Sequence, residues 1–243
     1  HIAGAAPPLV QLPASNQDAG QPLLCFDALP LAPAPLAAWI AEMRGVLLAW
    51  GVASADADDA WAGAAPTRLL GLLRAGFEAQ AGPTEAPFAS GLTGLAAGQV
   101  LAGLLKGYSA GLRAAFQPER WFRGYCPICG GWPDLSLISP QNEARTLACA
   151  RCDATWPYRR VGCPFCGQDE RIRLYVSPDG RFSLVVCESC GKYVKQAPWP
   201  APHLPQSLVG LRLLTVGMDL EAQQALANAD ASAQGSCAAD GAA

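Results

Sequence analysis

Histidine, methionine and charged residues are scarce in this chain of 243 residues, which has two histidines, two methionines and 15% charged residues. It contains no His-x-x-x-His pair and no phosphate-binding loop pattern, and His203 lies among prolines, as loop residues do. Enzymes that depend on general acid–base or nucleophilic side chains need such groups. We therefore predict that the protein is not an enzyme.

An excess of basic residues is also absent, since the formal net charge is −3. Bulk charge therefore predicts neither a nucleic-acid partner nor an anionic membrane partner. No basic residue precedes Arg44, so the amino end lacks the charged start of a secretory signal, although a leader removed before His1 is an alternative. The uncharged stretch from Ala86 to Leu105 is long enough to span a membrane, but its glycines and polar residues lower its mean hydropathy. We expect a cytoplasmic protein without membrane insertion.

Composition changes sharply near residue 120. Residues 1–117 are dominated by Ala, Leu and Gly, whereas residues 118–195 hold eight of the ten cysteines together with eleven basic and eight acidic residues. This division predicts a helical amino-terminal domain, a cysteine-bearing region and a short carboxy-terminal segment. The predicted boundaries are 1–35 for an extended or disordered lead, 36–118 for the helical domain, 119–160 for the first four-cysteine module, 161–197 for the second, and 198–243 for a carboxy-terminal helical segment and low-complexity tail.

Apolar residues recur at helical spacing in three stretches of the amino-terminal part. The pattern predicts helices over 35–50, 66–80 and 87–116, which together would form a small helical bundle. Trp39, Trp50 and Trp61 are interpreted as core or inter-helix residues, because tryptophan is usually buried in folded proteins.

The cysteines are arranged as a duplication. The segment Cys126–Gly130 recurs as Cys163–Gly167, and Cys149–Cys152 recurs as Cys187–Cys190. Each copy consists of two Cys-x-x-Cys pairs separated by a spacer of about twenty residues that has the strand–turn–strand pattern of a hairpin. Two intervening residues let both sulfurs of a pair point inward from one tight turn, and a hairpin brings the second pair back to the first. Cys25 and Cys237 lie outside the pairs and are interpreted as incidental thiols.

Each copy of the duplication therefore predicts one closed four-thiolate metal site. The favoured groups are Cys126, Cys129, Cys149 and Cys152 for one site, and Cys163, Cys166, Cys187 and Cys190 for the other. An alternative joins the second pair to the third across ten residues, because sequence does not fix connectivity. Disulfides are disfavoured in a reducing compartment. Spacing alone does not separate zinc from iron.

The order of these elements resembles the formate dehydrogenase accessory protein family, also called formate dehydrogenase formation proteins. The similarity extends over about 70 residues. Four Cys-x-x-Cys turns, called knuckles here, occur in this order with aromatic and basic residues between them, and this pattern identifies a family far more specifically than a single knuckle does. The matching residues are Cys126–Gly130 and Pro133, then Leu147–Cys152, Trp156 and Arg160, then Cys163–Cys166, and finally Cys187–Cys190, Tyr193 and Lys195.

The resemblance implies a cytoplasmic, non-catalytic maturation factor that binds the catalytic subunit of a respiratory formate dehydrogenase and is needed for its activity. Together with the predicted hairpins it implies an α+β protein, with a helical amino-terminal domain followed by two tandem rubredoxin-like or zinc-ribbon-like metal modules built from β-hairpins. The resemblance associates the two sites with iron, so iron is the favoured metal and zinc the alternative. Four of the matching residues are candidates for partner binding or for supporting the metal ligands from outside the sites. They are Trp156, Arg160, Tyr193 and Lys195. An alternative of equal weight is that the aromatic side chains pack against the hairpins of the metal modules and the basic side chains are exposed to solvent.

Two other functions fit the same residues. A rubredoxin-type electron carrier would use the same thiolate sites for reversible iron reduction. A zinc-ribbon nucleic-acid-binding protein would use the basic residues of the cysteine region, although acidic residues interrupt them. The oligomeric state has no signal in the sequence.

Overall fold

The computed structural model of the protein describes residues 15–52, 59–79 and 91–224. Its chain separates into two units. The first consists of His1–Pro133 and Cys149–Pro157, and the second of Asp134–Ala148 and Tyr158–Ala243. Cys237 lies outside the described residues.

Helices form most of the described first unit. They are α1 (Ser15–Asp18), α2 (Pro33–Ala49), α3 (Pro66–Glu78) and α4 (Gly91–Leu112), followed by 3-10 turns at Arg113–Ala115 and Pro118–Arg120. Proline opens both α2 and α3 within their first two positions, where the missing N–H has no intrahelical partner to lose. These two helices lie close to the predicted ranges. The helix predicted over 87–116 is described from residue 91, and 80–90 lie outside the described residues.

Apolar stripes on the three long helices form the core of this unit. Leu36, Leu73 and Leu105 are fully buried, one from each of α2, α3 and α4. Trp50 differs from the prediction, because its residue is 81% exposed. It occupies the C-cap of α2, beyond the last turn that packs against a neighbour.

The lead that the sequence predicts as extended or disordered is structured over its described part. Besides α1 it contains a 3-10 turn at Phe26–Ala28, and Leu23, Leu24 and Leu29 are buried. The backbone N–H of Leu23 donates to Pro127 O at 2.8 Å. The apolar residues of this stretch are therefore core residues, although proline and alanine obscure their pattern. Residues 1–14 lie outside the described part.

Six strands follow: β1 (Pro133–Ile138), β2 (Arg145–Cys149), β3 (Thr155–Tyr158), β4 (Ile172–Val176), β5 (Ser183–Cys187) and β6 (Tyr193–Pro198). They form one sheet with the order β3-β2-β1-β6-β5-β4. The two spacers between cysteine pairs each contribute two neighbouring strands, β1 with β2 and β4 with β5, as their strand–turn–strand pattern predicts. The parallel pairing of β1 with β6, in which Leu135 is opposite Lys195, joins strands that are distant in sequence.

A carboxy-terminal helical segment completes the described second unit. Helix α5 (Leu208–Leu214) begins at Ser207, whose side chain accepts a hydrogen bond from Gly210 N. Helical turns continue over 216–224. Leu135, Leu204 and Leu211 belong to the core of this unit. Within the described ranges, no helix combines the length and apolar character needed to cross a membrane.

Candidate metal centres

The first cysteine quartet is enclosed within the first unit. It consists of Cys126, Cys129, Cys149 and Cys152, whose sulfurs all lie within 4.8 Å of one another. Cys126 Sγ is 3.5 Å from Cys152 Sγ, and Cys129 Sγ is 3.6 Å from Cys149 Sγ. None of the four residues is more than 3% exposed. This site is closed to solvent.

The second quartet, within the second unit, has similar geometry but different exposure. Cys163, Cys166, Cys187 and Cys190 also lie with their sulfurs within 4.8 Å. The shortest sulfur–sulfur distances are 3.6 Å, from Cys163 to Cys190 and from Cys166 to Cys187. Cys163 and Cys187 are buried, Cys190 is partly exposed and Cys166 is exposed. The structure thus forms the two groups that the duplication favours, and the alternative grouping does not occur.

All four knuckles share one backbone conformation. The residue after the second cysteine has a positive φ in every case, and its N–H donates to the carbonyl of the first cysteine. Glycine adopts this region without strain, and aspartate is among the few other residues that tolerate it. These residues are Gly130 (φ 73°), Asp153 (φ 57°), Gly167 (φ 81°) and Gly191 (φ 67°).

Backbone N–H groups inside the knuckles point at sulfur. Ile128 N lies 3.3 Å from Cys126 Sγ, Arg151 N lies 3.4 Å from Cys149 Sγ, and Phe165 N lies 3.4 Å from Cys163 Sγ. Such donors offset the negative charge of a thiolate and fix its orientation. The loops are therefore arranged to stabilise ionised sulfur.

The thiols of each quartet are so close together that their pKa values shift in different directions. Burial raises the pKa of Cys126 well above its usual value, while hydrogen bonds from Cys126 and the other neighbouring thiols lower the pKa of Cys129. In the second quartet, burial raises the pKa of Cys163. Burial also opposes ionisation of Cys187, but backbone donors from Cys190 and Ser189, together with hydrogen bonds from two neighbouring thiols, lower its pKa to about 7. Four ionised sulfurs at such distances need a cation to offset their repulsion.

The geometry of both quartets fits a tetrahedral metal ion. Four sulfurs placed about 2.3 Å from a zinc ion would be about 3.8 Å apart. The shortest distances of 3.5 to 3.6 Å, and the 4.8 Å limit that includes every pair, are close to this arrangement. They are also far longer than the roughly 2.05 Å of a disulfide. Each quartet could hold one ion, and four-sulfur geometry accepts either zinc or iron.

An arginine between two ligands joins the first site to helix α3. Arg151, between Cys149 and Cys152, donates from its guanidinium to the carbonyls of Gly76 and Phe77 at 3.1 Å. Its charge also lies over the Phe77 ring, 5.2 Å from the centroid. Helix C-terminal carbonyls lack intrahelical partners and favour positive charge. Arg151 supplies both hydrogen bonds and charge there.

A different arginine supports the second site. Arg145 on β2 is 4% exposed, and it donates to Gly162 O and to Ser136 Oγ, both at 2.8 Å. Gly162 directly precedes Cys163, so this cation holds the start of the third knuckle. Tyr158 adds a hydrogen bond from its hydroxyl to Cys163 O at 3.2 Å. Sequence reasoning missed the contacts of Arg145 and Arg151, because neither residue is a ligand and their partners are remote in sequence or irregular in structure.

The four candidate partner-binding residues occupy different environments. Trp156 is fully buried, and its ring N–H donates to Arg123 O at 3.0 Å. Tyr193 and Lys195 are each 3% exposed, and both contact the carboxylate of Asp219. The side chain of Arg160 is exposed and pairs with Glu143. Arg160 alone among the four lies at the surface of its unit, and a partner role for any of them stays a prediction.

The fold and its two quartets define an α+β protein with tandem zinc-ribbon-like modules. The chain is 33% identical over 94 residues to the Protein FdhE homolog of Aquifex aeolicus, in an alignment that covers 36% of this chain and 33% of that protein. It is 32% identical over 77 residues to Protein FdhE of Escherichia coli O127:H6, covering 30% of this chain and 25% of that protein. These relatives are named FdhE, which agrees with the resemblance of the cysteine region to the formate dehydrogenase accessory protein family.

A solved structure extends the comparison to the whole fold. The crystal structure of the FdhE protein from Pseudomonas aeruginosa matches with a TM-score of 0.55 and 20% identity, over 91% of this chain and 78% of that one. At this identity the match establishes similarity of fold. The alignments with the curated relatives span only a third or less of their lengths. No protein-family model matches the chain.

Proposed function

We propose that this chain is a non-catalytic accessory protein that binds the catalytic subunit of a respiratory formate dehydrogenase and is needed for its assembly or activity. The observation that carries the proposal is the occurrence of two cysteine quartets in a chain whose curated relatives are named FdhE. A cytoplasmic location goes with this role, since assembly of such a subunit would take place there.

The proposed cofactors are two metal ions, iron in preference to zinc. An ion held by four thiolates has no open coordination position for a substrate, so the sites suit structure or electron transfer rather than metal-assisted hydrolysis. The cysteines supply the ligands, and the knuckle N–H groups hold the sulfurs in place.

Exposed apolar residues in the second unit support partner binding. Leu174, Tyr175 and Val176 on β4 are 55 to 59% exposed, although strand residues with this composition are usually covered. A cavity of about 870 Å³ is lined by β4 and β5 residues and by Met218. Successive side chains of a strand point to opposite faces, so β4 presents apolar groups on both of its faces. Exposed apolar surface marks candidate protein-interaction sites.

An anaerobic pull-down tests the proposed partner. Tagged protein should retain the catalytic subunit of formate dehydrogenase, and Leu174→Glu should weaken this retention without altering metal content. The exposed cysteine outside the quartets provides a matched control, so Cys25→Ser should bind as the unaltered chain does. Failure of the metal-loaded, unaltered chain to retain the subunit would contradict the proposal.

Electron transfer is a second candidate, favoured by the exposure of Cys166 in the second quartet. A partner could approach that site closely enough to exchange an electron with bound iron. Optical titration with a reductant distinguishes the roles. Reversible bleaching of the iron–thiolate absorption by a protein that also reduces a partner would favour a carrier, whereas a zinc protein would be colourless and redox-silent.

A further inference from the structure

We propose that the two quartets have different roles: the first holds a structural ion that fastens the helical unit, and the second holds an ion that exchanges with the solution. This difference depends on the metal binding proposed for both sites, but not on the identity of the partner protein. It follows from what surrounds each quartet rather than from the ligands, which are the same.

The second knuckle of the first site is bound to helices α3 and α4. Arg151 donates to the carbonyls of Gly76 and Phe77 at the end of α3. Asp153, directly after the last ligand, pairs with Lys106 of α4 at 3.1 Å. Since the backbone on either side of Cys152 would be fixed by coordination, an ion at this site would position both of these charged side chains.

The first knuckle of the same site is bound to the amino-terminal segment. The N–H groups of Leu23 and Leu24 donate to the carbonyls of Pro127 and Ile128 at 2.8 and 2.7 Å. Both of these acceptors lie between Cys126 and Cys129. Departure of the ion would therefore release contacts to the lead, α3 and α4 together, and burial of all four sulfurs leaves no path for a competing ligand.

The second site has no charged side chain at the two positions equivalent to Arg151 and Asp153. Ser189 stands where the first site has Arg151, and Gly191 stands where it has Asp153. Ser189 and Gly191 are both exposed, as is the ligand Cys166. Ligand exchange at a four-coordinate ion begins with approach of an entering group, and the exposure of the ligand residue Cys166 favours that approach.

Release of zinc to a chromogenic chelator tests the difference. Protein loaded with two equivalents of Zn²⁺ is mixed with excess 4-(2-pyridylazo)resorcinol, and absorbance reports the freed ion. We expect two phases of equal amplitude with rates at least about tenfold apart. Far-UV circular dichroism should change little during the fast phase and should lose helical signal during the slow phase.

Alkylation of the released thiols in the unaltered chain assigns the phases, and one ligand substitution checks the assignment. Iodoacetamide added after the fast phase should modify Cys163, Cys166, Cys187 and Cys190, while the first quartet stays protected in the peptide map. Cys166→Ser should remove the fast phase and leave the slow one unchanged. Cys25 provides the reference for an exposed, unligated thiol.

The outcomes separate this inference from the proposal on which it depends. Binding of fewer than two zinc ions would overturn the metal assignment itself. Two ions that leave at one rate, or a fast phase that exposes the first quartet to alkylation, would overturn the division of roles while leaving the metal assignment intact.

Discussion

The two cysteine quartets have nearly the same ligand geometry and different surroundings. Sulfur–sulfur distances, knuckle turns and positive φ values repeat from one to the other. The residues between and after the cysteines do not repeat: Arg151 and Asp153 bind helices beside the first quartet, whereas Ser189 and Gly191 are exposed beside the second. The repeated cysteines thus give both sites the same ligand geometry. The residues around the cysteines differ, and they determine which parts of the protein each ion would connect.

Ligand substitution should give the largest contrast between the quartets. Cys129→Ser should cost several kcal/mol, because a closed thiolate site contributes on the order of 10–16 kcal/mol. Helical signal should fall with it, since the first site is attached to the bundle. Cys166→Ser should leave that signal in place.

Urea denaturation followed by circular dichroism measures both variants. Cys25→Ser controls for loss of a thiol outside the quartets. Equal helix loss in the Cys129 and Cys166 variants would remove the contrast between the sites.

Removal of a buried ring in the first unit should have the next largest effect. Trp156→Ala should destabilise the protein by about 3–5 kcal/mol, because the side chain is fully buried and its N–H bond to Arg123 O is lost. Trp50→Ala is the matched control, since that residue is 81% exposed and should change stability little. Equal midpoint shifts in thermal unfolding would show that burial does not distinguish these rings.

A buried ion pair tests the second unit independently of its cysteines. Lys195→Met should cost about 3 kcal/mol, because it leaves the Asp219 carboxylate without its buried cation. Arg160→Met removes an exposed cation paired with Glu143 and should cost less than about 1 kcal/mol. Chemical denaturation measures both, and a neutral Lys195 variant would contradict the assigned role of the pair.

The smallest predicted contrast compares equivalent non-ligand positions. Arg151→Met should cost about 2 kcal/mol, because the carbonyls at the end of α3 lose charged donors. Ser189→Ala should lie within about 0.5 kcal/mol of the unaltered chain, as exposed substitutions usually do. Hydrogen exchange at the end of α3 should increase in the Arg151 variant alone. Unchanged exchange there would show that Arg151 does not fasten the helix.

Local patterns in the sequence were enough to predict much of this structure. Helical spacing predicts α2 and α3, and the duplication predicts two groups of four cysteines. The turn at Gly180 lies between the predicted arms of the β4–β5 hairpin. Each of these features depends on residues close together in the chain.

Long-range contacts could not be predicted in the same way. Three contacts join residues that no local sequence pattern connects. They are the parallel pairing of β1 with β6, the hydrogen bond from Arg151 to Phe77 O and the contact of Lys195 with Asp219. Burial of the lead was also missed, because its few leucines lie among prolines and alanines. The exposure of Trp50 depends on where α2 ends rather than on residue type.

Native mass spectrometry of protein purified without oxygen tests the central claim most directly. Two quartets that each bind one ion predict a single dominant species carrying two iron or zinc ions, with an iron–thiolate absorption if the metal is iron. A metal-free chain whose mass is lower by two hydrogens for each cysteine pair would show disulfides in place of metal sites and would contradict the account.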